Sequence, residues 1–208
     1  MKNIKFISHP VKPWKINQLF NENRSCIDLA TNSKVITCDG HNPPAGYKSV
    51  YSQIKGHQGL DLRAKRGQAV HSVQDGVVVE VVSEEARGVG IGIITDRKFY
   101  CTETGKDEYF KMRYWHHLVN LRKLGDKVFI GDVIALADNT GYSSGDHLHF
   151  EMKPVKYLKN GGYVNVLQSN GYFGAVDPLP YMQDRFAGEF MGLKTLAQRL
   201  KFIISLIK

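Results

Sequence analysis

Cysteine is scarce in this sequence, and its scarcity excludes a disulfide-rich scaffold. The 208 residues contain three cysteines, Cys26, Cys38 and Cys101, and no two of them form a Cys-x-x-Cys pair. Three thiols are too few to hold a domain together by disulfides. Cys26 and Cys38 can bridge the segment between them; the alternative, which we favour, is that all three thiols are reduced.

Long hydrophobic runs are also missing. No stretch approaches the roughly 18 apolar residues that a membrane-spanning helix needs, so we expect no such helix. The first residues are partly basic, but Pro10 and Lys12 end their apolar stretch before the hydrophobic region of a secretory signal can form. We therefore expect no secretory signal, so that the chain either works inside the cell or is carried out by another route.

Acidic residues are in the minority. The sequence has 20 Asp and Glu against 28 Lys and Arg, a formal net charge of +8 that is spread along the chain. This excess favours anionic surroundings, such as nucleic acid, an anionic membrane or an anionic cell-wall polymer, and does not choose among them. With 42% hydrophobic residues, the chain can bury a sizeable core, which excludes wholesale disorder and predicts one domain with an extension or two small ones.

Helical periodicity is nearly absent, and short strand-like runs take its place. Residues 60–150 contain β-branched runs separated by glycine-containing turns, of which Gly76–Val82 is the clearest. This pattern predicts an antiparallel sheet, sandwich or barrel, and it argues against alternating strands and helices. The alternating stretch Trp14–Phe20 predicts one earlier strand. Residues 24–56 are rich in Asn, Ser, Gly and Pro, and predict a long surface loop with one or two short strands.

One helix is predicted at the C terminus. Apolar residues recur there with the spacing i, i+3, i+4, i+7 from Phe190 to Ile207. Residues 183–208 carry five basic and two acidic side chains, five minus two, a net charge of +3. A basic amphipathic helix of this kind can lie on an anionic membrane, or its apolar face can pack on the domain or on a partner protein. We expect a β domain over residues 1–182 and this helix over residues 183–208.

Two histidine motifs point to a metal site. His57 and Asp61 form H-x-x-x-D, and His147 and His149 form H-x-H. Residues i and i+2 of a strand share a face, so the side chains of H-x-H project together, about 7 Å apart along the strand. Two imidazoles and one carboxylate make three ligands and leave a fourth position for water, which is typical of a catalytic zinc.

These motifs belong to a longer pattern that resembles the lysostaphin-type, or LytM-like, zinc endopeptidases. The resemblance covers roughly residues 10–182. Its first signature spans His57–Asp61 and continues to Val78. Its second signature consists of four stretches, Gly125–Val128, Gly131–Ile134, Asn139–Gly145 and His147–Glu151. The close of the domain is Asp177–Tyr181.

The resemblance implies a fold, an activity and a set of site residues. The implied fold is mainly β, a twisted antiparallel sheet or β-sandwich with a substrate groove, and the implied activity is cleavage of peptide bonds in bacterial peptidoglycan, in the stem or the cross-bridge. By position, His57, Asp61 and His149 would hold one Zn²⁺. His147 and the histidine of a Tyr-x-His motif would act on the substrate carbonyl and the attacking water.

A doubled histidine makes the Tyr-x-His assignment ambiguous. Tyr114-Trp115-His116 keeps the motif and its spacing to Gly125, whereas His117 shortens that spacing by one. Strand alternation puts His116 on the face of Tyr114 and Met112, with His117 on the opposite face. We assign the catalytic role to His116 and keep His117 as the alternative.

The sequence departs from the family at two further places. Asp146 stands where proline is common, and its carboxylate either tunes the pKa of His147 or faces solvent, which we favour. The loop over 24–56 is longer than in compact family members, and we expect it to form one wall of the groove. The remaining histidines, His9, His41 and His71, have no spaced partner, and we expect His71 to be a packed or sheet-edge residue.

The sequence therefore predicts a zinc-dependent peptidoglycan endopeptidase that acts at the bacterial cell wall. Without a secretory signal, we expect a phage-type or virion-associated lysin, delivered by the phage particle, by holin-type lysis or by another route. The alternative is a non-catalytic peptidoglycan-binding or activator module of the same fold, although such modules typically lose one or more of these ligands. A biotinyl-type carrier is rejected because Lys153 follows H-x-H instead of lying in a tight hairpin. A nucleic-acid partner, for which charge is the only argument, is not expected.

Overall fold

A computed structural model describes residues 4–22, 27–28, 34–35, 56–85, 88–141 and 143–190 of the chain. These residues form β-strands and two short 3₁₀ turns, which confirms a mainly β fold. No helix in this part of the chain is long and apolar enough to cross a membrane. The strands, in chain order, are β1 (Ile7–His9), β2 (Ile16–Gln18), β3 (Ile27–Asp28), β4 (Lys34–Val35), β5 (Leu60–Arg63), β6 (Ala69–His71), β7 (Gly76–Glu84), β8 (Gly88–Thr95), β9 (Phe99–Cys101), β10 (Lys106–Trp115), β11 (His117–Asn120), β12 (Lys127–Val128), β13 (Val133–Ala137), β14 (His147–Tyr157), β15 (Tyr163–Asn165) and β16 (Met182–Phe186), and the 3₁₀ turns are Leu179–Tyr181 and Ala187–Phe190.

One large antiparallel sheet organises these strands. Its order is β12-β7-β8-β10-β14-β5-β2, with β15 paired to β14 and β9 paired to β10. A second, three-stranded antiparallel sheet has the order β11-β13-β6. Strands β1 and β16 pair in parallel, and β3 pairs with β4. The chain passes from the large sheet to the small one between β10 and β11, which is where the doubled histidine lies.

The core lies on one face of the large sheet. Alternate residues of β10, Phe110, Met112 and Tyr114, are fully buried, as the period of two in a strand requires. They belong to the same apolar cluster as Val70 and Ile134 of the small sheet. Burial of each large apolar side chain of this kind contributes about 1.5–3 kcal/mol to stability. The opposite face of β10 carries Lys111 and Arg113, with the Trp115 ring against the Arg113 guanidinium.

The chain ends differ from the sequence-based prediction. The strand expected over Trp14–Phe20 is shorter, since β2 spans Ile16–Gln18, and β1 was not predicted at all. Residues 183–186 belong to β16 and residues 187–190 form a 3₁₀ turn, so these residues are not the helix we expected. The physical reason is tertiary: β16 pairs with β1, a long-range contact that favours the extended conformation here, and the apolar period begins only at Phe190.

Three further expectations fall on other parts of the chain. Residues 191–208, which include Ile207 and the rest of the predicted helix, lie outside the described residues, and so do Cys26 and Cys38. Most of the predicted loop over 24–56 is likewise outside them, apart from the two-residue strands β3 and β4 and Gly56. Cys101 is a free, buried thiol.

Gly59 allows the loop before β5 to approach β14 closely. A Cβ atom on this residue would stand 2.4 Å from the carbonyl oxygen of Phe150 and 3.1 Å from Cε1 of His149. The Phe150 carbonyl belongs to the backbone and cannot give way without moving the strand. The absent side chain therefore brings the H-x-x-x-D motif and the H-x-H motif together.

We expect Gly59→Ala to lower the free energy of unfolding by about 1–3 kcal/mol, because the added methyl group overpacks this contact. Urea unfolding measures the change. Gly162→Ala is the matched control, since the nearest atom to its Cβ is the side-chain oxygen Oδ1 of Asn160 at 3.3 Å. If both variants unfold at the wild-type urea concentration, the close approach is wrong.

Candidate metal centre

Three of the motif residues meet because β5 and β14 are antiparallel neighbours. Their register places Asp61 opposite His149, and His147 lies two residues before His149 on the same strand. His57 lies in the loop that leads into β5. His147 and His149 both contact the Asp61 carboxylate, which confirms that the side chains of H-x-H share a face.

Three side-chain atoms form a compact triangle. Nε2 of His57 lies 3.0 Å from Nδ1 of His149 and 3.1 Å from Oδ1 of Asp61, and the last two atoms are 2.8 Å apart. Tetrahedral ligands at 2.0–2.1 Å from zinc would lie about 3.3–3.4 Å from one another. Each side of the triangle needs to open by only a few tenths of an ångström, so the donor types and their spacing fit such an ion.

The tautomer of His57 also fits metal binding. Its Nδ1 lies 3.0 Å from the backbone oxygen of Leu19, to which only a protonated nitrogen can donate. The proton on Nδ1 leaves a lone pair on Nε2, the atom that belongs to the triangle. His149 has the opposite arrangement, because its Nδ1 belongs to the triangle and its Nε2 lies 3.4 Å from Oε1 of Glu151.

The charges around the triangle keep Asp61 ionised. Burial alone would raise the pKa of this carboxyl group, but its contacts with the side chains of His147, His149 and His57 outweigh burial and place the pKa well below its usual value. Burial lowers the pKa of His149, yet the carboxylates of Asp61 and Glu151 outweigh this effect and raise it to about 9. Without a metal ion, His149 therefore carries the positive charge that balances Asp61 at neutral pH.

Two more histidines border the triangle. Nε2 of His147 lies 3.5 Å from Oδ1 of Asp61, and the ring centroids of His116 and His147 are 4.6 Å apart. Nδ1 of His147 lies 2.8 Å from the Gly145 carbonyl oxygen, and Nδ1 of His116 lies 2.7 Å from that of Thr140. In His116 the proton on Nδ1 is donated to backbone, so Nε2 keeps its lone pair, whereas Nε2 of His147 faces the Asp61 carboxylate.

The structure places His116 at this site, but not for the reason that strand alternation suggested. Tyr114 and Met112 point into the core, so a continued strand would bury His116 there as well. Instead β10 ends at Trp115, and His116 adopts a left-handed backbone with φ of 68°. This conformation is uncommon for a residue with a side chain. It turns the chain toward the small sheet and brings the His116 ring to 6.0 Å from the ring of His149.

His116 is a neutral imidazole at neutral pH. Burial, followed by the charges of His147 and His149, lowers its pKa to about 3. A neutral ring with a protonated Nδ1 can accept a proton at Nε2. The free lone pair on Nε2 is thus available to a reacting group that lies beside the triangle.

His117 lies away from the triangle. It begins β11, is fully buried, and its Nδ1 lies 2.8 Å from Oδ1 of Asn120. Burial lowers its pKa to about 4, although the Asn120 hydrogen bond opposes this effect. Its surroundings are those of a structural residue of the small sheet.

Two expectations about the surroundings of the site are confirmed. Asp146 is exposed, and its Oδ2 accepts a hydrogen bond of 3.1 Å from the backbone N–H of Arg66. His71 is buried, with its ring against that of Phe186. His9 stacks on Trp14 with 3.8 Å between ring centroids, and like His71 it lies outside the candidate site.

Sequence reasoning missed a charged network on the same face of the sheet. Arg113 of β10 donates to both oxygens of Glu80 at 2.9 Å and to Oε2 of Glu151 at 3.1 Å. Lys153 contacts Oε2 of Glu151 at 2.9 Å, and Lys111 lies 3.6 Å from Glu80. The available signal was the alternation of charged and apolar residues on β10 and β14, which places these charges beside His149.

Comparison with known families gives one match that covers more than half of the chain. The model of the family described as peptidase family M23 matches residues 55–166. This range contains His57, Asp61, His149 and both flanking histidines.

Curated relatives resemble parts of the chain. The glycyl-glycine endopeptidase ALE-1 of Staphylococcus capitis is 28% identical over 132 residues, which cover 56% of this chain and 34% of the relative. The peptidoglycan DD-endopeptidase ShyA of Vibrio cholerae is 31% identical over 127 residues, which cover 61% of this chain and 26% of the relative. The matched regions span between 22% and 34% of the first three relatives found.

A solved structure has the same fold. Lysostaphin from Staphylococcus simulans superposes with a TM-score of 0.50 at 21% identity, over 86% of this chain and 52% of that one. At this identity the likeness concerns the fold alone.

Proposed function

Because the chain belongs to peptidase family M23, we propose that it is a zinc-dependent endopeptidase that hydrolyses peptide bonds of bacterial peptidoglycan. The resemblance to lysostaphin-type enzymes is confirmed by this membership and by the relatives. The observation that carries the proposal is the triangle of His57, Asp61 and His149, with two further histidines at its border.

The triangle would hold the metal ion through Nε2 of His57, Oδ1 of Asp61 and Nδ1 of His149. A bound zinc ion supplies two effects there: it lowers the pKa of a water ligand to about 7 and it polarises a carbonyl group. Three protein ligands leave the fourth position open, as in catalytic rather than structural sites. The hydrogen bond from His57 to Leu19 fixes one of the two ligand tautomers.

The flanking histidines lie where they can take part in proton transfer and charge stabilisation. His116 can accept a proton at Nε2 from the attacking water, while its Nδ1–H stays hydrogen-bonded to Thr140. His147, held by the Gly145 carbonyl, can orient that water or donate to the oxygen of the scissile carbonyl once it gains negative charge. Both rings are fixed by backbone groups, so their positions do not depend on the substrate.

The substrate class rests on the relatives. Two of them are a glycyl-glycine endopeptidase and a peptidoglycan DD-endopeptidase, which act on different peptide bonds. We propose a peptide bond of the peptidoglycan stem or cross-bridge. The phage-type origin and the contact of residues 183–208 with a membrane or protein stay predictions from the sequence.

Zinc binding is the first expected property. The purified chain should bind about one zinc ion, and at neutral pH the binding should release about one proton from His149, since its pKa without metal is about 9. Asp61→Ala should abolish binding, because it removes one ligand of three. Elemental analysis and titration in weak buffer measure both effects.

The exposed Asp146 supplies the control for this experiment. Asp146→Ala also removes one carboxylate, from a residue that our assignment places outside the triangle, and should bind zinc as the wild type does. Full zinc content in Asp61→Ala would refute the ligand set.

Wall digestion tests the activity and the two adjacent histidines together. We expect the zinc-loaded protein to release new amino termini from purified cell walls, identified by mass spectrometry. His116→Ala should lower this rate by a factor of about 100 or more, because general acid–base groups contribute about 10²–10⁴. His117→Ala should keep the activity of the folded enzyme and lose stability instead.

The contrary outcomes are distinct. Reversed effects of His116→Ala and His117→Ala would mean that the catalytic assignment is wrong. No release from walls of any chemotype by the zinc-loaded wild type would favour the alternative, a non-catalytic module of the same fold.

A further inference from the structure

The four histidines of the site are held in two different ways. In three of them Nδ1 faces a backbone carbonyl oxygen, that of Leu19 for His57, of Thr140 for His116 and of Gly145 for His147. Backbone carbonyls are acceptors whatever the sequence, so these three tautomers follow from the fold. His149 is reversed, and its outer nitrogen Nε2 faces a side chain, that of Glu151, at 3.4 Å.

The reversed arrangement of His149 requires a hydrogen-bond acceptor for its Nε2 proton. Nδ1 of His149 can bind a metal ion only with a free lone pair, so the ring proton must be on Nε2. Glu151 is the acceptor that the described residues provide for this proton. Nε2 of a metal-bound histidine is commonly held by a carboxylate in this way, which fixes the orientation of the ring.

The other contacts of Glu151 fix which of its oxygens faces His149. Arg113 and Lys153 lie 3.1 and 2.9 Å from Oε2, so that oxygen is occupied by two cations. The second edge of the Arg113 guanidinium is held by Glu80. Glu151 is 4% exposed, so its carboxylate cannot swing into solvent. Oε1 has only longer contacts, at 3.4 Å from Arg113 and at 3.4 Å from Nε2 of His149, so it is the oxygen that faces the histidine.

A buried ion network is a weak device for stability, because the desolvation of the charges offsets most of their attraction. This network spans the sheet from Glu80 on β7 to Lys153 on β14, and it meets the metal triangle where Glu151 contacts His149. Through this contact the network can affect the metal site, a role that does not depend on its small contribution to stability.

We propose that Glu151 is a positioning residue that selects the tautomer of His149, so that Nδ1 is presented to the metal ion, and that Arg113 and Lys153 hold Glu151 in place for this purpose. The inference rests on the proposed zinc function. It adds a residue outside the triangle of His57, Asp61 and His149.

Glu151→Gln tests the proposal with almost no change of shape. Arg113 and Lys153 both need an acceptor at the Oε2 position, so they turn the amide oxygen toward themselves. The amide NH₂ then faces Nε2 of His149 and donates to it, which moves the ring proton to Nδ1. We expect the affinity for zinc, measured by competition with a chelator at neutral pH, to fall about 10- to 100-fold.

Glu80→Gln is the matched control. It removes a carboxylate from the same network, but no histidine in the described part of the chain contacts Glu80, so the loss of zinc affinity should be smaller than for Glu151→Gln. Equal zinc affinity in the wild type and Glu151→Gln would overturn the proposal while leaving the zinc site intact. A wild type that binds no zinc would instead overturn the proposed function.

A measurement on the wild type keeps the proposal testable if Glu151→Gln does not fold. The nitrogen NMR shifts of the His149 ring, in the zinc-loaded protein, report which nitrogen carries the proton. The proposal requires a protonated Nε2 and a metal-bound Nδ1. The reverse assignment would overturn it.

Discussion

The pairing of β5 with β14 is the interaction on which the rest of the site depends. Its register sets Asp61 opposite His149, and Oδ1 of Asp61 then lies within 3.5 Å of nitrogens from His57, His147 and His149. A shift of one residue would send every side chain of one strand to the opposite face. The apolar neighbours Leu62 and Leu148, both fully buried, secure the register from the other side of the sheet.

The two faces of the large sheet therefore have different roles. The apolar face packs against the small sheet and fixes the strands, whereas the polar face carries the metal triangle and the charged network that adjoins it. His116 is not positioned by the large sheet itself, because it lies where the chain leaves that sheet. Its left-handed backbone, with Nδ1 bound to Thr140 and its carbonyl bound by the N–H of Asp138, fixes the ring at the border of the triangle.

The sequence was sufficient for whatever depends on local period and motif spacing. Alternation predicted the strands and the shared face of His147 and His149, and the resemblance singled out His57, Asp61 and His149, which the structure brings together. It was insufficient where long-range pairing decides. The corner at His116, the strand at 182–186 and the contact of Arg113 with Glu80 and Glu151 each depend on strands that are distant in sequence, and no local pattern encodes which strands become neighbours.

The central claim is that Asp61 and two histidines, through particular nitrogens, form the metal site. Anomalous X-ray diffraction from crystals of the zinc-loaded protein tests it most directly. The account predicts one zinc peak within about 2.0–2.2 Å of Nε2 of His57, Oδ1 of Asp61 and Nδ1 of His149. A peak bound instead by His116 and His147, or by Nε2 of His149, would contradict it.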